Sequence, residues 1–198
     1  MFITTLIASI AISGFNLHEG GKDTTEFKAD LTADEFKFSF TVDESTLVEQ
    51  KELKKEFDAA FQDRVEVYIA PVGDRSKTYF AMEIDSNAHI LDYRVDPVNK
   101  FNFDWNFKTA KAKRLPHQGG YAIEGRISRA ELEALGIDFS DYYLAVFRAD
   151  VRTPFDCPRK DWLPVHWYTG VPVPPGPPDF HKAEHFFHCR GNERVNSK

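Results

Sequence analysis

Alternation of apolar and polar residues is the most regular feature of this chain. In residues 35–42 every second position is apolar, namely Phe36, Phe38, Phe40 and Val42. Side chains on a strand point alternately to two faces, so this spacing predicts a half-buried β-strand. Further strands are predicted at residues 26–31, 64–70, 77–84, 88–94, 102–109, 121–127 and 142–149. Turn residues separate many of these segments, which indicates antiparallel pairing, and past residue 150 the alternation fades.

Two short segments have a helical pattern instead. Residues 49–57 are polar apart from two apolar side chains four positions apart, which predicts a short surface helix. Residues 128–131 read Ser-Arg-Ala-Glu, the spacing of a capping box, and Gly136 supplies a stop signal. Many short strands with one or two short helices predict a mostly β fold, an antiparallel β-sandwich. We expect a single domain over residues 1–198.

The first residues admit two interpretations. Residues 1–15 are apolar enough to resemble the core of a signal peptide, but no basic residue precedes Lys22. A signal peptide begins with a basic region, so the sequence lacks a convincing one. The alternation at Ile10 and Ile12 favours a first strand. No apolar segment is long enough to span a bilayer, so we expect no membrane insertion.

Charge and composition narrow the classes of ligand. The net charge of −6 disfavours nucleic-acid binding, which needs a basic surface, and disfavours docking on anionic lipid. The 18 Phe, 7 Tyr and 3 Trp favour strands and also offer flat faces to ligands. The sequence contains neither a Gly-x-Ser-x-Gly motif nor a phosphate-binding glycine loop, and nothing marks two carboxylates as facing each other. We therefore expect no catalytic residues, although a carboxylate- or metal-dependent hydrolase acting on carbohydrate remains an alternative.

Glu66 is the first candidate binding residue. If Val65 and Val67 face the core, Glu66 faces the opposite side of its strand. An ionised carboxylate there can accept hydrogen bonds from two sugar hydroxyls. A solvated charge on a strand is the alternative.

The three tryptophans are the next candidates. Trp105 shares one parity with Phe101, Phe103 and Phe107, a stripe that suits either a core or a binding platform. Trp162 and Trp167 fall in sequence rich in Pro, Asp and His, where loops and exposed rings are expected. Sugar rings stack their C–H faces on such exposed aromatic planes.

A histidine cluster and two cysteines leave alternatives open. On a helix His181 and His185 would share a face, as zinc ligands do, and His188 follows nearby. The segment lacks the HExxH arrangement, and its proline-rich approach disfavours a helix, so the metal ligands stay unknown. Cys157 and Cys189 are the cysteines of the chain, and they are either paired or free.

Taken in order, these segments resemble the family 9 carbohydrate-binding modules and their DOMON-like relatives. The matching residues are 12–15, 38–43, 63–69, 79–85, 119–124, 147–150, Trp162, 178–181 and 186–187. The resemblance covers nearly the whole chain. It implies a β-sandwich that binds oligo- or polysaccharides without catalysis. It also implies an extracytoplasmic location, secreted or periplasmic, and frequent attachment to glycoside hydrolases.

The resemblance also suggests binding residues. In the family two tryptophans clamp a terminal sugar beside a carboxylate, and Glu66 matches that carboxylate. One clamp position falls near Phe180 and the other near Ala60, so the clamp is incomplete, and we expect the site to be rebuilt from other aromatics. Arg148 belongs to this pattern, either bonding sugar hydroxyls or pairing with a nearby acid. The predicted carbohydrate-binding residues are Glu66, Trp105, Arg148, Trp162, Trp167, Phe180 and His181.

Two bound groups follow from the resemblance alone. No cofactor is required for sugar binding, but family members hold structural calcium, for which Asp43, Asp58 and Asp150 are suitable. Some DOMON relatives carry haem, which here would need Met82 with one histidine, or two histidines. Haem binding is therefore a second alternative to sugar binding.

Overall fold

Strands dominate the computed structural model, which describes residues 9–17, 24–73, 78–97, 100–151, 165–171, 181 and 185–195. The strands in these residues are β1 (Ile10–Ser13), β2 (Asn16–Leu17), β3 (Glu26–Leu31), β4 (Glu35–Asp43), β5 (Arg64–Pro71), β6 (Tyr79–Asp85), β7 (Ile90–Asp96), β8 (Lys100–Asn102), β9 (Lys111–Leu115), β10 (Gly120–Ser128), β11 (Tyr142–Val151), β12 (Val165–Thr169), β13 (Phe187–Arg190) and β14 (Glu193–Arg194). A 3₁₀ helix, η1 (Glu56–Phe61), and an α-helix, α1 (Arg129–Ala134), accompany them. No helix among these residues is long and apolar enough to cross a membrane.

The strands form two antiparallel sheets. The first sheet has the order β1-β3-β4-β10-β9, and the second has the order β14-β13-β11-β5-β6-β7-β8. β12 pairs with the C-terminal half of β11 on one side and with β2 on the other. The antiparallel β-sandwich predicted from the alternation is confirmed, and so is the first strand at residues 10–13.

The inner faces of the two sheets enclose the main hydrophobic core. The alternating residues of β4 are all buried there, at 2% exposure or less. From the second sheet, the residues that face them include Val65, Val67, Ile69, Leu144 and Val146. Aromatic rings fill much of the space, and the ring centres of Phe27 and Phe40 are only 4.9 Å apart. Each such ring contributes about 2–3 kcal/mol by leaving water, which makes this core the main source of stability.

Gly125 shows how closely this core is packed. It lies opposite Phe38 in the pairing of β10 with β4, and a Cβ added to it would stand 2.1 Å from Cζ of Phe38. We expect Gly125→Ala to lower the free energy of unfolding by about 1–3 kcal/mol, because the ring must leave its position in a filled core. Urea denaturation measures this loss.

The double variant Gly125→Ala/Phe38→Leu provides the control for that prediction. Shortening the side chain at position 38 removes the steric conflict, so the two losses should be less than additive. Additive losses would show that the glycine is needed for a reason other than the ring above it.

Two predicted elements are wrong, and side chains explain both. The helix predicted at residues 49–57 does not form before η1, because the Val48 N–H donates to the Asp63 carboxylate (2.6 Å) and the Gln50 N–H donates to Gln62. The strand predicted at 102–109 ends with β8. There the Phe107 N–H donates to Asp92 (2.9 Å) instead of to a neighbouring strand.

The capping box predicted at α1 is also wrong in its contacts. Ser128 is the N-cap residue, but its side chain makes no capping hydrogen bond in the described part of the chain. The Glu131 carboxylate instead accepts hydrogen bonds from the N–H groups of Lys108 (2.6 Å) and Thr109 (2.9 Å). The predicted stop is confirmed, since Gly136 follows the helix with φ of 89°, a left-handed conformation that favours glycine. Glu131 therefore anchors a loop to the helix rather than capping it.

Candidate functional site

The face of the second sheet that points away from the first sheet, here the outer face, carries its own buried cluster. Its strand residues are Tyr68, Ala70, Tyr79, Ala81, Leu91, Tyr93, Val95, Tyr143, Ala145 and Phe147. Alternation within each strand places them there, opposite the residues of the main core. Several are alanines, which leave room above the sheet for η1 and for Phe186 to pack against it.

Five polar side chains form a hydrogen-bonded group within this face, here the outer-face network. They are Arg64, Glu66, Tyr68, Glu83 and Tyr93. Nε of Arg64 lies 2.9 Å from a Glu66 oxygen and 2.7 Å from a Glu83 oxygen. The Tyr68 hydroxyl donates to Glu66 (2.6 Å), and the Tyr93 hydroxyl donates to Glu83 (2.8 Å). The register of β5 and β6 sets the two carboxylates directly opposite each other.

The charges of the outer-face network do not balance when both carboxylates are ionised. One guanidinium then faces two negative groups in a largely buried site. Burial, together with the neighbouring Glu83 charge, raises the pKa of Glu66 to about 8. The same two acids raise the pKa of Arg64, which therefore stays charged. The neutral form of Glu66 is favoured at pH 7, and it leaves Arg64 paired with Glu83.

This shift predicts a pH-dependent stability. Since the folded-state pKa of Glu66 lies above its ordinary value, the folded chain holds a proton that the unfolded chain has released. Stability is therefore fully present at about pH 4.5 and falls as the pH rises towards about 8, by at most about 1.4 kcal/mol per pH unit for one proton. We expect Glu66→Gln to match the wild type near pH 5 and to be more stable than it at pH 8. Urea denaturation at several pH values measures both.

Asp138→Asn is the control for this experiment. The Asp138 pKa is lowered, chiefly by the hydrogen bond from the Ser140 N–H, so its contribution changes only in more acidic solution. In Glu66→Gln the free energy of unfolding should still fall with rising pH, but less steeply than in the wild type. The remaining dependence comes from Asp63, because burial raises the pKa of that carboxyl to about 6. Equal slopes in the wild type and in Glu66→Gln would contradict the charge assignment.

Aromatic rings surround the outer-face network. The Trp167 ring lies 5.1 Å from the Arg64 guanidinium, a cation–π distance. His181 stacks on Tyr68 with ring centres 5.5 Å apart. Phe103 contacts Tyr93 at 4.9 Å and is 41% exposed. The network thus has hydrogen-bonding groups below and flat ring faces around it.

The structure divides the residues predicted from sequence between two faces. Glu66, Trp167 and His181 lie on the outer face. Trp105 packs against Phe80 in the main core at 5.1 Å. Arg148 points between the sheets, because its neighbours on β11 point outward. Trp105 and Arg148 therefore do not share a surface with Glu66, and Trp162 and Phe180 lie outside the described residues.

Arg148 has an acidic partner in its buried position. Its Nη2 lies 2.6 Å from a Glu44 oxygen and 4.0 Å from an Asp150 oxygen, and its guanidinium stands 4.7 Å from the Tyr168 ring. Of the two roles considered for Arg148, the structure shows pairing with nearby acids.

Glu66 faces outward as predicted, but it is fully buried. The network side chains closer to the surface are Arg64 and Glu83, at 8% and 9% exposure. Residues of this face that the sequence pattern did not predict are Arg64, Glu83, Tyr93, Phe101 and Phe103. Alternation alone could have placed Arg64 on the face of Glu66, whereas the position of Glu83 depends on the register of two strands.

The suggested metal ligands are dispersed. His181 lies on the outer face, while His188 pairs with Asp141 at β13. Within the described ranges, no group of three His, Cys, Asp or Glu side chains could hold a metal ion. Two of the three carboxylates that were predicted as calcium ligands have separate partners. Asp43 forms a hydrogen bond with the His117 ring, and Asp58 accepts a hydrogen bond from the Lys55 N–H. Structural calcium is untested and stays a prediction.

Met82 and Cys189 are both buried. Met82 points into the main core at 1% exposure, packed among apolar residues rather than at an open site. Cys189 is a free thiol on β13, and Cys157 lies outside the described residues.

Comparison with known proteins identifies the fold. No protein-family model and no curated protein matches the sequence. The structure is similar to an inferred carbohydrate-binding protein from Bacteroides uniformis, with a TM-score of 0.66 and 14% identity over 93% of this chain and 86% of that one. It is also similar to a family 9 carbohydrate-binding module from Caldicellulosiruptor kristjanssonii in complex with glucose, with a TM-score of 0.50 and 15% identity over 94% and 87%. The chain therefore has a β-sandwich fold like that of the family 9 modules.

Proposed function

We propose that this chain binds carbohydrate without transforming it, and that the sugar contacts the outer face of the second sheet. The observation that carries the proposal is the position of the Trp167 ring beside Arg64, whose Nε lies 2.7 Å from a Glu83 carboxylate oxygen. The likeness of the fold to carbohydrate-binding modules supports it.

This arrangement suits the two kinds of surface on a sugar ring. The C–H face of the ring is apolar and stacks on an aromatic plane such as Trp167. The hydroxyls at its edge can donate to the Glu83 carboxylate and accept from the Arg64 guanidinium. Since both groups are already held by the outer-face network, little side-chain freedom is lost on binding.

Glu66 has an indirect role in this proposal. It is fully buried and hydrogen-bonded to Arg64 and Tyr68, so it holds the guanidinium in place instead of touching the ligand. The carboxylate that meets the sugar is then Glu83. Trp105 and Arg148, on the other side of the sheet, take no part in the contact.

A glycan array followed by titration calorimetry tests the proposal. We expect a saccharide to bind with a Kd of roughly micromolar to millimolar, as a single stacking site allows. Trp167→Ala should weaken binding at least about tenfold, because the stacking plane is lost.

Val72→Ala is the matched control, since Val72 is an exposed apolar side chain just after the end of β5, four residues beyond Tyr68 of the network. A thermal melt of each variant establishes that it is folded. The proposal fails if the wild type binds no saccharide of a broad array at millimolar concentration.

A further inference from the structure

A cavity of 290 Å³ lies at one side of the sandwich, between β1 of the first sheet and the hairpin of β13 and β14 in the second. The residues that line it include Ile12, Gly14, Gly170, Phe187 and Arg194. The lining found among the described residues contains neither Trp167 nor a member of the outer-face network. The cavity is therefore separate from the proposed sugar site.

The strand register turns the β13 and β14 residues of this lining towards the main core. Phe187 pairs with Leu144, which belongs to that core. Arg194 pairs with Cys189, another core residue. Residues directly opposite each other in an antiparallel pair share one face of the sheet, so both lining side chains point to the space between the sheets.

The remaining walls are apolar. Ile12 points into the main core from β1 and is 8% exposed. Gly170 follows β12 on the inner side of its sheet, since a Cβ added to it would lie 2.5 Å from a methyl group of Val146. These residues surround the same space between the sheets as Phe187 does, so the cavity is an opening at the side of the main core.

The hairpin of β13 and β14 is fixed to both sheets. At its turn, the Asn192 side chain accepts the Leu31 N–H at 2.6 Å and donates to the Leu31 carbonyl at 3.2 Å, which ties the hairpin to β3. The Tyr142 hydroxyl of β11 donates to the Gly191 carbonyl at 2.9 Å. Since β3 is the neighbour of β1, opposite walls of the cavity are held at a fixed spacing, and little ordering is needed when a ligand binds.

Arg194 places a positive charge at this cavity. Its guanidinium stands 3.5 Å from the centre of the Phe187 ring, a cation–π contact that holds it beside the apolar walls. Burial lowers the pKa of the Arg194 guanidinium, and the neighbour that opposes this shift is the Cys189 thiol rather than a carboxylate. Arg190, on β13, instead pairs with Asp141 at 3.4 Å. Within the described part of the chain, Arg194 therefore has no anionic partner.

We propose that this cavity binds a small aliphatic monocarboxylate, a straight chain of about six to ten carbons, with its carboxylate on Arg194 and its hydrocarbon chain against Ile12. A guanidinium holds a carboxylate through two parallel hydrogen bonds. An aliphatic chain suits the walls because one face of the Phe187 ring is already covered by the guanidinium. The cavity volume lies at the lower end of the range for small-ligand sites, which favours one such chain over a membrane lipid with two.

The overall charge of the chain does not oppose this ligand strongly. At physiological ionic strength, charges more than about 8 Å apart are largely screened. The guanidinium in contact with the carboxylate therefore outweighs the net charge of −6, most of which is distant.

Calorimetry with sodium octanoate tests this site. We expect saturable binding with a Kd of roughly 10 μM to 1 mM, and acetate, which has the charge without the chain, should bind at least about tenfold more weakly. Arg194→Met should weaken octanoate binding at least about tenfold, because it removes the guanidinium and keeps most of the side-chain volume. Arg190→Met is the matched control, since that arginine already has an acidic partner, and it should bind octanoate within about twofold of the wild type.

NMR spectra of the isoleucine methyl groups locate the bound chain. Octanoate should shift the Ile12 δ1-methyl signal, assigned with the variant Ile12→Val, at the concentrations that calorimetry gives. Trp167→Ala should bind octanoate as the wild type does, because Trp167 lies on the outer face. A thermal melt of each variant establishes that it is folded.

Three results would overturn the inference. They are no octanoate binding at millimolar concentration, equal binding by the wild type and Arg194→Met, and loss of binding in Trp167→Ala, which would place the ligand on the outer face. The saccharide titrations test the outer face separately, so either proposal can fail while the other stands.

Discussion

Replacing Arg64 by methionine is expected to lower the free energy of unfolding by about 3–5 kcal/mol at pH 8. Arg64 is the cation that lies between Glu66 and Glu83, and its side chain is only 8% exposed. Methionine keeps most of the volume but leaves two carboxylates facing each other in a largely buried site. The loss should shrink in acid, where protonation relieves the repulsion. Urea denaturation at pH 5 and pH 8 measures both effects.

Arg126→Met is the matched control for that substitution. Arg126 pairs with Glu35 at 3.3 Å on the solvent-facing side of the first sheet, and 46% of its side chain is exposed. Exposed ion pairs contribute little, so we expect a loss below about 1 kcal/mol. A similar small loss in Arg64→Met would mean that the outer-face network contributes nothing to stability.

Arg148→Met is also expected to lower the free energy of unfolding by about 3–5 kcal/mol. Removing the guanidinium leaves Glu44 and Asp150 near each other without their cation and removes its contact with the Tyr168 ring. Because Arg148 points between the sheets, saccharide affinity measured well below the melting temperature should remain unchanged. Denaturation and calorimetry on the same preparation test both statements.

The reverse result would give Arg148 a different role. A variant as stable as the wild type but unable to bind sugar would show that Arg148 contacts the ligand. Such a result would also require the space between the sheets to open, since Arg148 is 2% exposed in the folded chain.

The sheet could be predicted wherever one face of a strand is buried and the other is not. β4 shows this pattern clearly, with each phenylalanine buried and each residue between them more exposed. β12 does not, because four of its five side chains are half-buried on either face. Such a strand has no alternation in its sequence, so it could not be predicted from the period of two.

The aromatic stripe at residues 101–107 shows why the site was harder to predict. Its four rings share one parity, which on a continuous strand would place them on one face. The chain turns after β8, so Phe101 and Phe103 lie on the outer face while Trp105 and Phe107 pack into the main core. The turn depends on acceptors such as Asp92, which comes from β7. Local sequence therefore could not separate the exposed rings from the buried ones.

The Asp63 carboxylate has a consequence for the order in which the chain folds. It accepts the N–H groups of Val48 and Val151, which are 15 and 88 positions away in sequence. The adjoining strand β5 likewise needs β11 as its neighbour. On a ribosome, β5 emerges long before β11, and until then its edge is unpaired. Contacts this distant in sequence slow folding, so the second sheet is expected to assemble only once β11 has been released.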